Sequence, residues 1–184
     1  MLKRISEFLY RISSGRVALA ASILFVGFTA TALPAQARQA EVYSNGAGSP
    51  DTSLSYSTKD LYDMAKGYEA DGRAEYIHAR FTFDLVFPLT YLFFLGTALS
   101  WSLSVLVPVT SRLRLLNLFP VFGWVFDMLE NISVSIAFGR YPQATPVIDL
   151  LAPLFTSVKW IFIYGSFLLL IPGLLAALWR IFRR

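Results

Sequence analysis

At 184 residues, with 55% hydrophobic and 15% charged residues, the chain carries more apolar surface than water tolerates, since a soluble domain averages about 25% charged and about 45–50% apolar residues. A span uses about 20 residues, so four spans and their connections account for the length. No cysteine is present, which excludes disulfides, thiolate metal sites and cysteine nucleophiles, and the single histidine, His78, excludes any site that needs two.

In chain order, residues 1–16 form a basic leader, and Val17–Ala37 is the first apolar stretch. Two readings fit that stretch. Its length favours a retained anchor, whereas Ala35-Gln36-Ala37 after a basic leader also matches a signal-peptidase site. Retention gives four spans and cleavage gives three. Residues 38–80 are the one long polar segment, with irregular turns over Glu41–Tyr56. Ser57-Thr58-Lys59-Asp60 then has capping-box spacing, and Leu61, Met64, Ala65 and Tyr68 recur at helical intervals. An amphipathic helix over Thr58–Ala70, lying on the membrane surface and ended by Asp71-Gly72, is expected. A second helix from near Arg73 is expected to run unbroken into the second span, Phe81–Val107. Leu115–Phe138 and Ile148–Trp179 complete the set, and residues 81–184 are read as a three-span bundle with a basic tail. The expected fold is an all-α, integral membrane four-helix bundle with an outer amphipathic helix between spans one and two.

The basic residues set the orientation. Lys3, Arg4, Arg11, Arg16, Arg112, Arg114, Arg180, Arg183 and Arg184 fall on one side, while Arg38, Lys59, Lys66, Arg73, Arg80 and Arg140 fall on the other and are diluted by seven acids. The positive-inside rule places the nine in the cytoplasm. The expectation is a multi-pass protein of the cytoplasmic membrane with both termini cytoplasmic and no nucleic-acid partner.

Ionisable residues inside a span are costly and point to function. Asp84, Asp127, Glu130 and Lys159 are the main ones, since Asp149 reads as a helix-start acid. Asp127, Glu130 and Asn131 stand at i, i+3 and i+4, on one face of the third span, with Trp124 one turn before. Counting about 1.5 Å per residue from the outer ends brings Lys159 within about 5 Å in depth of Glu130. Pairing with Glu130 or Asp127 is one outcome, and outward snorkelling of Lys159 is the other. Asp84, with Tyr91 two turns on, is expected at the mouth of the same cavity. Gly96, Ser100 and Ser104 form a small-residue stripe that lets a helix approach closely, either within the chain or in a homo-oligomer. No phosphate loop, serine elbow or metal-spaced ligand set is present, and no cofactor is expected.

Tyr68–Tyr91 and Phe126–Tyr141 resemble segments of an uncharacterised group of prokaryotic four-span membrane proteins. A more distant architectural likeness is to the EXPERA class of emopamil-binding sterol isomerases, carried by four spans, a helical first outer loop and Asp84-Leu85-Val86-Phe87-Pro88 at the start of the second span. That likeness implies a pocket lined by membrane-embedded acids, Asp84 among them. The third-span set and Lys159 have no counterpart in its motifs, so the likeness implies architecture and not isomerase chemistry.

The candidate ligand-binding set is Asp84, Tyr91, Trp124, Asp127, Glu130, Asn131 and Lys159, in a polar pocket for a lipid-like or amphipathic molecule. The competing reading is a structural or partner-binding subunit held together by its buried charges.

Overall fold

The structure is a computed structural model that describes residues 1–183. Arg184, counted above with the basic tail, lies outside the described residues. Among the described residues the fold is all-α, with no strand. The helices are α1 (Leu2–Ile12), α2 (Gly15–Ser44), α3 (Thr58–Gly67), α4 (Glu69–Arg80), α5 (Phe83–Leu106), α6 (Phe119–Arg140) and α7 (Ile148–Phe182), with a 3-10 helix over Arg112–Leu118.

Among the described residues four stretches are long and apolar enough to cross a membrane: Gly15–Ser44, Glu69–Leu106, Arg112–Arg140 and Ile148–Phe182. They leave large apolar side chains uncovered, including Leu19, Ile23 and Val26 on α2 and Leu168, Ile171 and Leu175 on α7. Hydrocarbon satisfies such a surface and water does not. The chain is therefore read as a multi-pass membrane protein. Inside the bundle α6 and α7 form the most extensive pair, and α5 is flanked by α2 and α7. Stacked rings fasten α2 to α5, with Phe25 against Phe94 at 4.9 Å between centroids and Phe28 against Phe83 at 5.8 Å.

The helix starts follow from local chemistry. Ser14 caps α2 by accepting from Val17 N–H, and Pro120 stands in the first turn of α6, where its missing N–H is not needed. Ser57 and Asp60 form both bonds of a capping box at the start of α3.

Four expectations change. First, the leader is not merely a basic tail: residues Leu2–Ile12 are helical, and Ile5, Leu9 and Ile12 share a face at i, i+4 and i+7. Second, α3 lies on the protein and not on lipid. Its Leu61 and Ala65 are buried with Tyr68, Val134, Phe138 and Ala152 of the bundle, because α6 and α7 end in an apolar cap that these side chains cover. Third, α3 stops at Gly67, and Glu69 takes a left-handed backbone (φ 54°) that redirects the chain into α4. Gly72 stands in α4 where a Cβ would collide with the Tyr43 carbonyl oxygen. Fourth, α4 does not run unbroken into α5. Phe81 and Thr82 bond back to carbonyls three residues earlier, and the Thr82 hydroxyl donates to the His78 carbonyl (2.8 Å), which tightens the chain at that point.

The small-residue stripe is largely taken up within the chain. Gly96 lies under Leu9 of α1, Ser100 accepts from Asn117 Nδ2 (3.0 Å), and Ser104 is exposed.

Candidate functional site

Lys159 projects from α7 into the bundle and is 2% exposed. Its Nζ lies 2.5 Å from Glu130 Oε2 and 3.7 Å from Asp127 Oδ1, both on α6. These are the two acids that depth counting brings into range, and Lys159 turns inward to them instead of snorkelling. The ammonium also donates to Asp51 Oδ1 (3.1 Å) and to the Asp51 carbonyl (3.2 Å). Tyr91 of α5 donates its hydroxyl to Asp127 Oδ2 (2.8 Å), so Asp127 is held from two sides.

A second cation continues the network. Arg80 ends α4 at 4% exposure, with Nη2 on Asp84 Oδ2 (2.6 Å) and Nη1 3.1 Å from Asp51 Oδ2. Counting Arg80 with the solvated residues outside the membrane is thus corrected: it is buried, because the break at Phe81–Thr82 turns it back onto Asp84. Its guanidinium also lies over the Tyr76 ring, 4.4 Å from the centroid.

Asp51 joins the two halves by bridging Arg80 and Lys159. It comes from the loop between α2 and α3, which is fixed to α7 by Trp160 Nε1 donating to the Ser53 carbonyl (2.8 Å) and by a Thr156–Tyr56 hydroxyl bond (3.1 Å). Burial works to raise the Asp51 carboxyl, but the Arg80 guanidinium and the Lys159 ammonium outweigh it and hold it well below the usual carboxylate range. The Asp51 side chain keeps 26% exposure, so the cluster reaches the surface through this residue.

Above this network lies a cavity of about 310 Å³. Its walls include Phe25, Phe87, Trp160 and Phe167, and Asp51, Asp84, Asp127 and Lys159 form its polar part. An apolar cleft with a few convergent polar groups is the usual shape of a small-molecule site.

The structure brings Asp84, Tyr91, Asp127, Glu130 and Lys159 into one connected group, whereas Trp124 and Asn131 do not join it. Asn131 is a neighbour of Glu130 in sequence, which rotates it by about 100° around the helix, and both its amide atoms are buried without a hydrogen-bond partner. Trp124 Nε1 is likewise buried and unpartnered. Arg80 and Asp51 are the members that sequence reading missed. For Arg80 the signal is its i, i+4 spacing to Asp84. For Asp51, 108 residues from Lys159, no local signal exists.

Carboxylate oxygens of Asp51, Asp127 and Glu130 lie within 4.8 Å of one another, a spacing that suits a metal ion. Lys159 Nζ touches all three, so the ammonium stands where such an ion would bind. Compared with known proteins, the chain matches no family model, no curated sequence and no solved structure.

Proposed function

We propose that this is a multi-pass protein of the cytoplasmic membrane, with both termini cytoplasmic, whose charged pocket binds an amphipathic molecule with a cationic head. The observation that carries the reading is the charge balance beneath an apolar cavity. Four carboxylates, Asp51, Asp84, Asp127 and Glu130, meet two cations, Arg80 and Lys159. The carboxylates outnumber the cations by two, and in a low-dielectric setting that excess is relieved by a proton or by a positive guest. The aromatic walls suit the apolar part of the same molecule. The likeness to the EXPERA class supports this reading in architecture alone.

Native mass spectrometry of protein extracted in mild detergent tests it. Wild type should carry a small organic cation that Asp127→Asn and Glu130→Gln lose while keeping their helical circular dichroism. Ligand-free wild type, with both variants indistinguishable from it, contradicts the reading.

One observation favours a second reading: every charge in the cluster already has an opposite partner in the chain, and together they tie α4, α5, α6, α7 and the Asp51 loop. As pure helix glue, the same variants would unfold the protein or release a partner, and no small molecule would be found.

A further inference from the structure

At the end of the bundle that carries the start of α1 and the end of α7, α1 lies against the connection between α5 and α6 and leaves a cleft of about 410 Å³. A buried lock fixes it there. Ser6 donates its hydroxyl to Asn117 Oδ1 (2.8 Å), and Asn117 Nδ2 donates to the Ser6 carbonyl (3.2 Å) and to Ser100 Oγ (3.0 Å). The basic residues of α1 are thereby held at a set distance from those of the 3-10 helix.

Lys3, Arg112 and Arg114 line this cleft against one acid, Glu7. Arg114 is oriented by its neighbours: its guanidinium lies 3.9 Å from the Tyr10 ring centroid, and the Tyr10 hydroxyl donates to the Arg114 carbonyl (2.7 Å). Of its five donors, the described residues engage one, on the Val107 carbonyl (3.5 Å). Among the described residues no carboxylate pairs with Lys3, Arg112 or Arg114, in contrast to the buried cluster, where each acid holds a base. A neighbouring hollow shares Val109 and Arg114 with the cleft and adds Arg180. Three apolar side chains stand exposed beside these cations: Val109, Leu113 and Leu115.

Cations without internal counter-charge call for an external anion, and the apolar side chains decide which kind. A free anion gains nothing from them. A lipid, whose acyl chains begin close to its phosphate, gains from both. We propose that this cleft binds the phosphate headgroup of an anionic phospholipid, with Lys3, Arg112 and Arg114 supplying the charge and Val109, Leu113 and Leu115 meeting the first part of the acyl chains. The site is separate from the acidic pocket and does not depend on it.

Native mass spectrometry of the full chain, titrated with phosphatidylglycerol and with phosphatidylcholine of the same chains, tests the proposal. Lys3 and Arg112 are both exposed, so Lys3→Gln/Arg112→Gln leaves the fold intact. Each basic residue near an anionic surface contributes about fivefold to binding. The double variant should therefore bind phosphatidylglycerol about 30-fold more weakly, with phosphatidylcholine unaffected. The proposal is overturned if the double variant retains wild-type affinity, or if wild type binds phosphatidylcholine as tightly as phosphatidylglycerol. Displacement of the lipid by millimolar inorganic phosphate also overturns it, since the cleft would then be a free-anion site.

Discussion

Lys159 holds Glu130, Asp127 and Asp51 at once, and among the described residues it is the one cation paired with Glu130 and Asp127. Replacing it with methionine leaves Glu130 and Asp127 buried side by side without a cation, and breaking a buried pair from one side costs about 3–5 kcal/mol. Glu130→Gln in the same chain removes much of that burden. Thermal unfolding should therefore show Lys159→Met far below wild type and the double variant partly restored. Simple additivity of the two single effects contradicts the coupling. Asp51 supplies the pH dependence. It is faced by Arg80 from α4 and Lys159 from α7, with Asp84 on the far side of Arg80 and Asp127 and Glu130 on the far side of Lys159. Its folded pKa is depressed, against about 3.9 in an unfolded chain. Its stabilisation is thus fully present above the unfolded value and is lost as the pH falls through the folded one. Asp51→Asn should be less stable by on the order of 3 kcal/mol near neutral pH, with the gap to wild type closing as the solution is acidified. A gap that does not change with pH sinks this assignment.

At the scale of elements, the spans and the Glu130–Lys159 proximity were legible because both follow from helical rise and apolar length. The α1 helix was missed, because Lys3, Arg4 and Arg11 drew attention to charge and away from the helical spacing of Ile5, Leu9 and Ile12. The docking of α3 was not, since the apolar face of Leu61 and Ala65 suits lipid and protein equally and only the apolar cap on α6 and α7 decides between them. The Asp51 loop was out of reach for another reason: its partners come from two separate helices, α4 and α7, and a turn-rich polar segment has no periodicity to mark which residue points inward. Glycines give this level its sharpest test. A Cβ at Gly72 collides with the Tyr43 carbonyl oxygen, whereas one at Gly27 has nothing within 4 Å. Gly72→Ala must push α2 and α4 apart and should destabilise by about 1–3 kcal/mol, while Gly27→Ala, in an open helix interior, should be neutral or stabilising by up to about 1 kcal/mol. Equal midpoints for the two variants in a thermal melt contradict the close approach of α2 and α4.

For the whole molecule, the proposed orientation puts the anionic-lipid cleft in the cytoplasmic leaflet and the Asp51 surface of the acidic pocket on the opposite side. A reporter fused after Arg184 should be active only in its cytoplasmic form, and one between Ser49 and Pro50 only in its exported form. The reverse pattern inverts both sites. Phe25 and Leu33 of α2 wall the cavity, so a product that begins at Arg38 lacks that part of the wall. In the proposed function, an apolar cavity over a network rich in carboxylates selects a positive head. The most direct test of that selection is thermal stabilisation of the nanodisc-embedded protein by a long-chain amine, compared with the alcohol and the carboxylic acid of the same chain length. The amine alone should raise the unfolding midpoint, and Asp127→Asn should abolish the effect. Equal shifts for all three compounds, or an amine effect unchanged in Asp127→Asn, contradict it.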